Sequence, residues 1–473
     1  MTTQRVFTSD DQLAFAKLSG DFNPLHLDPV FARRLVFGRQ VVHGLHALLW
    51  SLDLHLKSRT QPLELRTVKA NFKAGIGVGQ AVDCRVTLLD ENQVAVHLET
   101  DNTPAAWIEI TWHPLRQQRT DALPKMSPGP GTCRKRSIEE LAAASGNVAL
   151  YFNGDLAARL FPNLIRVLPP MQLAVLLATT RLVGMECPGH RSIYSSLNLV
   201  FGAERDGEAR LNYHVTDCSR RLALVSLDVE APEMKGQLKA FLRPLPQRQP
   251  AFTEVCRQVE SEEFSTQQAL IVGGSRGLGE VAAKLLAAGG AEVILTYCHG
   301  EQDAQGIVEE IVARGGSADC LAWNVLEPPP GLPEKIANPS KPLYLYYFAT
   351  SYIFGAAKGK FSSQRFAVFN KYYVTGLLRT VQALADPAIG LNKVFYPSSA
   401  AIDQLPLDMG EYAAAKMAGE ILCDFLQKAH PGLIIHKPRL PRVATDQTVS
   451  LLPVDNQEPI PVLLKNLRYL RQM

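Results

Sequence analysis

The sequence predicts an α+β region with an internal duplication, followed by an α/β region with a parallel sheet. Two successive stretches each carry one apolar run of helix length and then four short strand-like runs. Several of these short runs alternate polar and apolar residues, as in a sheet with one buried face. Beyond residue 266, apolar strand-like runs are separated by stretches of helix length. That rhythm is typical of a doubly wound parallel sheet.

The chain length and two polar stretches define the expected domains. With 473 residues the chain is too long for a single domain with one hydrophobic core. At roughly 150 residues per domain, its length suggests about three domains. The stretches rich in proline or charge predict linkers over 116–136 and 244–265. The predicted domains are therefore 1–115, 137–243 and 266–473.

Composition excludes several classes of function. A hydrophobic fraction of 46% with 20% charged residues is that of a globular protein, and a net charge of +3 is too small to argue for a nucleic-acid partner. The sequence has no apolar run of about 20 residues and no secretory h-region, so we expect a cytoplasmic protein without a membrane partner. The eight cysteines form no C-x-x-C pair, so we expect neither a metal site nor a disulfide framework.

The duplicated region predicts one apolar helix per copy. The run VVHGLHALLWSLDLHL (41–56) precedes the strand-like runs of the first copy, and LPPMQLAVLLATTRLV (168–183) precedes those of the second. One apolar helix wrapped by a curling antiparallel sheet is a hot-dog arrangement. A tandem pair could form a two-subunit unit within one chain, although periodicity alone supports only a duplicated α+β fold.

A glycine-rich turn begins the third region. The strand QALIVGG runs directly into a helical stretch, which places Gly273, Gly277 and Gly279 at the turn. Glycines there allow a tight turn and the close approach of a pyrophosphate to the helix N-terminus. The motif follows the first strand of a βαβ series, so we expect a Rossmann dinucleotide site. The intervening Ser275, Arg276 and Leu278 are assigned to the same site.

The second strand of this region bears on the cofactor. It ends in Thr296-Tyr297-Cys298-His299, with no carboxylate to hold a ribose 2′-hydroxyl. Arg276 could instead meet a 2′-phosphate, although it could also be an ordinary exposed arginine at a helix start. NADP(H) is therefore favoured over NAD(H), and Tyr297 is assigned to the cofactor site.

Tyr412 and Lys416 are separated by three alanines and would share one face of a helix. A nearby ammonium favours the phenolate, so we expect the pKa of Tyr412 to fall from about 10 toward the working pH. Ser399 follows the strand NKVFYPSS and could hydrogen-bond the same carbonyl oxygen of a substrate.

Together these motifs resemble the short-chain dehydrogenase/reductase superfamily, and in particular its β-ketoacyl-thioester reductases, over residues 266–445. The resemblance implies Tyr412 as the proton donor, Ser399 as the residue that polarises the carbonyl, and Lys416 as the holder of the nicotinamide ribose. It also implies that Asn370 positions a relay water and that Asn324 hydrogen-bonds adenine.

The sequence departs from that superfamily at four places, which concern the substrate pocket and the dimer packing more than the chemistry. Asn324 replaces the Asp that is usual after the third strand. Tyr347-Phe348-Ala349-Thr350 replaces Asn-Asn-Ala-Gly, Pro441-Arg442 replaces Pro-Gly, and no seventh strand follows the helix PVLLKNLRYL.

A second group of polar residues lies near the N-terminus. Asp21 and His26 flank Asn-Pro, and such a pair can do acid/base work near neutral pH. His43-Gly44 begins the apolar helix, where the amide of Gly44 could face a thioester oxygen. Judged by spacing alone, a turn that caps a helix is the commoner explanation.

The unbroken Asp-x-Asn-Pro-x-His, followed by His-Gly, resembles the (R)-specific enoyl-thioester hydratases, or MaoC-like dehydratases, over about residues 6–113. The resemblance implies Asp21 and His26 as the catalytic dyad. At the equivalent place the second copy has YFNGDLAARLFPNL (151–164) and no dyad. We interpret it as a degenerate scaffold, and His190 within it as structural.

The two resemblances together imply a bifunctional enzyme. The reductase would convert a 3-oxoacyl thioester to the (3R)-hydroxyacyl form, and the dehydratase would give the trans-2-enoyl product, as in fatty-acid or polyketide biosynthesis. The acyl carrier is acyl carrier protein or coenzyme A, and a homodimer is one option for the assembly. Two alternatives remain open: the reverse, β-oxidation direction with NAD, and a dehydratase whose reductase-like module binds cofactor without turnover.

Overall fold

The computed structural model describes residues 2–115, 123, 129–202, 208–328, 336, 340–355, 358–386, 389–451 and 454–473. The chain divides into two compact units, Met1–Leu245 and Pro246–Met473. Residues 116–122 and 124–128 of the first predicted linker lie outside the described part. No helix among the described residues has both the length and the apolar character that crossing a membrane requires.

The second predicted linker is wrong over most of its length. Phe252, Val255 and Phe264 are buried in the core of the second unit together with Ile271. These apolar side chains recur within a charged stretch, and they are buried because they pack into that core.

Ten strands of the first unit form one antiparallel sheet. In chain order they are β1 (Thr2–Val6), β2 (Leu63–Phe72), β3 (Ala81–Asp90), β4 (Gln93–Thr100), β5 (Thr103–Pro114), β6 (Ser145–Ala149), β7 (Ser192–Phe201), β8 (Arg210–Ser219), β9 (Leu224–Ala231) and β10 (Met234–Leu242). Their order across the sheet is β1-β3-β4-β5-β2-β7-β10-β9-β8-β6. The two copies are joined where β2 pairs with β7, with Ala70 opposite Leu197.

The helices of the first unit lie between these strands in the chain. They are α1 (Ser9–Ser19), α2 (Pro24–Leu27), α3 (Pro29–Ala32), α4 (Gly44–His55), α5 (Ile138–Ala142), α6 (Gly154–Leu160), α7 (Leu164–Val167) and α8 (Pro170–Arg181). A short 3₁₀ turn (Leu56–Ser58) follows α4, and a π-helical turn (Leu182–Glu186) follows α8.

Helices α4 and α8 are the two apolar helices expected from the sequence. Every residue of α4 from Leu45 to Asp53 is buried, and so is every residue of α8 from Gln172 to Thr180. A helix that is buried all round belongs to the interior of a fold. Both helices contribute to one hydrophobic core that runs through both copies.

The second unit is built on a parallel sheet, which confirms that prediction. Its strands are β11 (Gln268–Val272), β12 (Glu292–Tyr297), β13 (Ser317–Ala322), β14 (Leu343–Tyr347), β15 (Leu391–Phe395) and β17 (Ile434–His436), in the order β13-β12-β11-β14-β15-β17. A separate short pair joins β16 (Ser398–Ser399) to β18 (Arg439–Leu440). The order changes direction beside β11, where doubly wound sheets bind their ligands.

The helices of the second unit are α9 (Phe252–Val255), α10 (Gly277–Ala288), α11 (Glu301–Val312), α12 (Ser363–Asn370), α13 (Leu377–Ala383), α14 (Ala401–Gln404), α15 (Gly410–Ala429) and α16 (Pro459–Gln472). A π-helical turn (Lys371–Gly376) joins α12 to α13, and a 3₁₀ turn spans Asp446–Thr448. Alternate residues of β11 belong to different cores: Ile271 to one, and Leu270 and Val272 to the other. Both faces of the sheet are therefore covered.

Candidate active sites

The Asp21 turn is formed by local capping. Helix α1 ends at Gly20, whose φ of 77° is in the left-handed region that favours glycine. The side chain of Asn23 accepts a hydrogen bond from Leu25 N at the start of α2, where Pro24 occupies the first turn. The Asn23 amide also donates to the carbonyl of Gly184, over 2.9 Å. The turn is thus attached to the second copy of the duplicated region.

Asp21 is only 2% exposed. Its Oδ2 accepts a hydrogen bond of 2.7 Å from Thr180 Oγ1, and its Oδ1 accepts one of 3.2 Å from Asn23 N. Burial raises the pKa of Asp21 to about 6, although both hydrogen bonds act to lower it. The carboxyl can therefore hold or release a proton near neutral pH.

His26 is held in one tautomer. Its Nδ1 lies 2.7 Å from the carbonyl oxygen of Val41, which can only accept, so Nδ1 carries the proton and Nε2 has a free lone pair. Burial lowers the pKa of His26 to about 4, so the ring is neutral at pH 7. Its ring stacks on that of His43, with 3.7 Å between centroids.

Asp21, His26 and His43 come together, each with a polar side-chain atom within 4.8 Å of those of the other two. Such a group could hold a metal ion, but both ring nitrogens of His43 already face oxygens. Its Nδ1 lies 3.0 Å from Gln12 Oε1, and its Nε2 lies 3.1 Å from the main-chain oxygen of Asp21. Hydrogen bonding within the protein thus accounts for the position of His43.

Gly44 is the first residue of α4, as expected. Its N–H is one of those that find no acceptor within the helix. A Cβ added there would lie 3.0 Å from the ring of Phe72, so a side chain would crowd this position.

Sequence reasoning missed what the second copy contributes to this site. Thr180 bonds Asp21, the backbone of Gly184 packs against the same carboxyl, and the charge of Arg243 helps to lower the pKa of His26. No spacing pattern pointed to these residues, because they meet Asp21 only through the packing of the two copies. His190, expected to be structural, accepts a hydrogen bond from Arg243 through its main-chain oxygen and packs its ring against Phe31.

In the second unit, the glycine loop has the close packing that its sequence indicates. A Cβ on Gly273, whose φ is 80°, would lie 2.9 Å from Ala349 N, and one on Gly279 would lie 2.2 Å from Gly273 O. Gly277, with φ of 58°, begins α10. Ser275 is buried within the loop, and Leu278 is partly buried against the core.

Arg276 does not point freely toward a cofactor. Its Nη1 lies 2.8 Å from Oδ2 of the buried Asp446. A Cβ on Gly277 would lie 3.7 Å from Oδ1 of the same carboxyl, which therefore lies over the start of α10. Sequence reasoning did not anticipate this partner, since 170 residues separate the two in the chain.

The other two predicted cofactor residues are held by their own neighbours. The Tyr297 hydroxyl donates to Glu301 over 3.1 Å. The Asn324 side chain bonds Glu327 Oε1 and Leu326 N, at 3.0 and 3.1 Å.

The predicted reductase residues lie close together. Ser399 is the last residue of strand β16, and Tyr412 and Lys416 lie on helix α15. A hydrogen bond from Ser399 acts on the buried Tyr412 phenol. Lys416 Nζ donates to Pro397 O over 2.7 Å, and it lies 4.1 Å from the centroid of the Tyr373 ring and 4.8 Å from that of Tyr396. The ammonium therefore lies among aromatic faces, which attract a cation.

The expected fall in the pKa of Tyr412 is not found. Burial raises that pKa, and burial also lowers the pKa of Lys416 to about 7. The reason is geometric: the ammonium lies 5.9 Å from the Tyr412 ring centroid and bonds Pro397 O, so desolvation outweighs its attraction for a phenolate.

Asn370 is the last residue of α12, where the helix changes to a π-helical turn. Its amide donates to Phe366 O over 3.0 Å, and no hydrogen bond within the described residues joins it to Lys416. Tyr347, at the first of the four altered positions, donates to Tyr372 O over 2.7 Å inside that π turn. A Cβ on Gly376 would lie 2.5 Å from the Tyr347 hydroxyl, so the larger tyrosine is accommodated by a glycine.

Comparisons with known proteins bear on both units. Residues 2–105 match the family model described as a MaoC like domain. The chain is 37% identical over 93 residues to an (R)-specific enoyl-CoA hydratase from Aeromonas caviae, which covers 20% of this chain and 61% of the relative. It is 41% identical over 62 residues to a 3-oxoacyl-(acyl-carrier-protein) reductase from Synechocystis sp., which covers 13% of this chain and 25% of the relative.

A crystal structure of a 3-oxoacyl (acyl-carrier-protein) reductase from Agrobacterium tumefaciens C58 with NADP bound is also similar. It has a TM-score of 0.38 and 20% identity, and the match covers 44% of this chain and 88% of that one. The chain spans less than two thirds of the length of the two curated relatives named above.

Proposed function

We propose that this chain, in which a MaoC-like domain is joined to a unit of the short-chain dehydrogenase/reductase type, carries out two successive steps on an acyl thioester. The second unit reduces a 3-oxoacyl thioester to the (3R)-hydroxyacyl form with NADPH. The first unit then removes water to give the trans-2-enoyl thioester, in a pathway of the fatty-acid or polyketide kind. The acyl group is carried by acyl carrier protein or coenzyme A. The first unit is a double hot-dog, and the second is a Rossmann domain.

The observation that carries the dehydration step is the pairing of a neutral His26 with a buried Asp21 of raised pKa. His26 Nε2 takes the proton from the substrate α-carbon, since Nδ1–H is held by Val41 O. Protonated Asp21 gives its proton to the departing hydroxyl, which leaves as water. The N–H of Gly44 at the start of α4 stabilises the developing charge on the thioester oxygen.

The reduction step relies on Ser399, Tyr412 and Lys416. NADPH, when bound, supplies the hydride for the substrate carbonyl carbon. Ser399 and Tyr412 hydrogen-bond the carbonyl oxygen, and Tyr412 transfers a proton to it. Lys416 holds the nicotinamide ribose, and Asn370 positions a water that returns the proton to Tyr412.

The glycine loop supports a dinucleotide at the start of α10. Gly273 and Gly279 let the loop pack closely on its own backbone and on that of Ala349, which sets the turn into α10. The N-terminus of α10 then favours the negative charge of a pyrophosphate. Ser275, Leu278, Tyr297 and Asn324 complete the proposed cofactor site. Arg276 would hold the 2′-phosphate of NADPH once its ion pair with Asp446 opens.

Two alternatives are separated by specific residues. A reverse reaction with NAD would be favoured by a carboxylate at the end of β12, where Tyr297 stands instead. A module that binds cofactor without turnover is favoured by Tyr347 and Thr350. These residues stand where the first Asn and the Gly of the usual Asn-Asn-Ala-Gly would be. Cofactor binding without oxidation distinguishes that case.

The second unit also supports a homodimer. On helix α15, Met417, Ile421 and Phe425 lie one turn apart on one face, and the last two are 63% and 64% exposed. An apolar stripe of this kind on a helix suits a second copy of the same face.

The proposal is tested by adding NADPH and a short 3-oxoacyl thioester and by following both the absorbance of NADPH and the mass of the product. We expect oxidation of NADPH and a product that has lost one water. D21N should keep the oxidation and accumulate the 3-hydroxy product. Y412F should lose the oxidation and still hydrate a crotonyl thioester. If wild-type protein binds NADPH but never oxidises it, the reductase assignment is wrong.

A further inference from the structure

Thr180 behaves differently from its neighbour in the same helix. A buried threonine in a helix commonly bonds a carbonyl of the preceding turn, and Thr179 does so, with 2.8 Å from its Oγ1 to Leu176 O. Thr180 instead directs its hydroxyl out of α8 to Asp21, which lies 159 residues away in the chain. Both ends of this hydrogen bond are almost wholly buried, at 4% and 2% exposure.

The backbone that follows α8 also fits the Asp21 carboxyl closely. A Cβ on Gly184 would lie 2.1 Å from Asp21 Oδ1, so any side chain there would displace the carboxyl. The carbonyl of Gly184 accepts from the amide of Asn23, two residues after Asp21. The last turn of α8 and the π turn after it thus enclose one side of the carboxyl.

We propose that Thr180 is a positioning residue for Asp21, so that the second copy, which has no dyad of its own, completes the active site of the first. This inference rests on the proposed dehydratase function. The hydrogen bond from Thr180 holds the Asp21 carboxyl in one rotamer. Because Asp21 Oδ2 accepts this bond, the transferable proton is carried by the other carboxyl oxygen, away from Thr180. The second copy therefore takes part in the chemistry as well as in the fold.

The hydrogen bond has an effect on proton transfer that packing alone would not have. A donor to a carboxylate favours the charged form, so its loss raises the pKa of Asp21 above its value of about 6. The reacting form of the dyad holds one proton, which is on Asp21 for dehydration and, by microscopic reversibility, on His26 for hydration. In the resting dyad that proton is on Asp21, whose pKa is the higher of the two. Activity should therefore fall as the pH rises through the pKa of Asp21. The other titratable groups that face or influence Asp21 are His26, His43, Cys133, Tyr151 and Arg181.

The experiment measures hydration of crotonyl thioester as kcat/KM against pH in the full chain, for wild type, T180V, T180S and T179V. In T180V the alkaline limb should move up by about one to two pH units, since a hydrogen bond to a charged group is worth that much. The kcat at the optimum should fall about 10- to 100-fold, because a misplaced catalytic group costs rates of that order. T180S should restore both values. T179V removes a hydroxyl from the same helix and should leave the profile in place.

The outcomes separate the inference from the function on which it rests. If wild-type protein does not hydrate the thioester, the proposed function fails. If it does, and T180V keeps both the wild-type kcat and the wild-type limb, Thr180 is not a positioning residue. If T180V does not fold, T180C replaces it, since a thiol is a weak donor of similar size. A limb in T180C that coincides with that of T180S overturns the inference, and a limb displaced to higher pH supports it.

Discussion

Arg276 and Asp446 form an ion pair at the N-terminus of helix α10, with 2.8 Å between Nη1 and Oδ2. The carboxyl is buried, and it lies over Gly277 at the place where a cofactor phosphate would be expected. An internal anion would thus compete with a dinucleotide phosphate for the same guanidinium and the same helix end.

We expect D446N to bind NADPH more tightly than wild type does. Loss of the carboxylate charge frees Arg276 and removes repulsion of the phosphates, which at about 1 kcal/mol corresponds to roughly fivefold in affinity. R276A should weaken binding of NADPH and leave NADH nearly unchanged, because only NADPH carries the 2′-phosphate. Fluorescence titration with both nucleotides measures this. Equal loss of both would show that Arg276 does not select the cofactor.

The Tyr373 ring, which faces the Lys416 ammonium, should influence the pH dependence of reduction. Burial lowers the pKa of Lys416 to about 7, and the Tyr373 ring, 4.1 Å away, stabilises the ammonium. Y373L should therefore lower that pKa further and move the alkaline limb of kcat/KM for ketone reduction down by roughly 0.5 to 1 pH unit. Y373F keeps the ring and should keep the limb. A limb that is the same in Y373L and wild type would contradict the role of the ring.

Asp21 should make the first unit less stable at high pH. Its pKa is raised from 3.8 to about 6 in the folded protein, so the folded state binds more protons than the unfolded state between these values. The free energy of unfolding therefore decreases as the pH rises through that range and stays lower above it. D21N removes the charge and should gain about 2–3 kcal/mol at pH 8 but little at pH 4. Thermal unfolding followed at the two pH values tests this, and an equal change at both would contradict it.

Any side chain at position 184 should abolish most of the dehydratase activity. In G184A the added Cβ would meet Asp21 Oδ1 at 2.1 Å, so the carboxyl has to move. We expect hydration of crotonyl thioester to fall by about 10²-fold or more, while NADPH-dependent reduction in the other unit is unchanged. G154A is the matched control, since its Cβ would have no neighbour closer than 3.8 Å. A loss of reduction in G184A would indicate general misfolding instead.

Much of the fold was predictable because it depends on local patterns. The apolar runs of α4 and α8 have a helical length and are buried throughout, and the alternating runs after them became antiparallel strands. The edge strands β1 and β6 were missed, because five-residue polar strands carry almost no periodic signal. The sequence predicts a linker over 244–265, because the few apolar residues of that stretch are diluted by charge.

The sequence by itself determined which candidate residues meet, since Asp21 and His26, and likewise Tyr412 and Lys416, are near neighbours in the chain and short-range geometry brings each pair together. Only the tertiary structure decided which distant residues form hydrogen bonds or ion pairs with the candidate site residues. Thr180 reaches Asp21, and Asp446 reaches Arg276, across 159 and 170 residues. The protonation of these groups was decided at the same level, because desolvation depends on everything that packs around a side chain, and no local spacing records it.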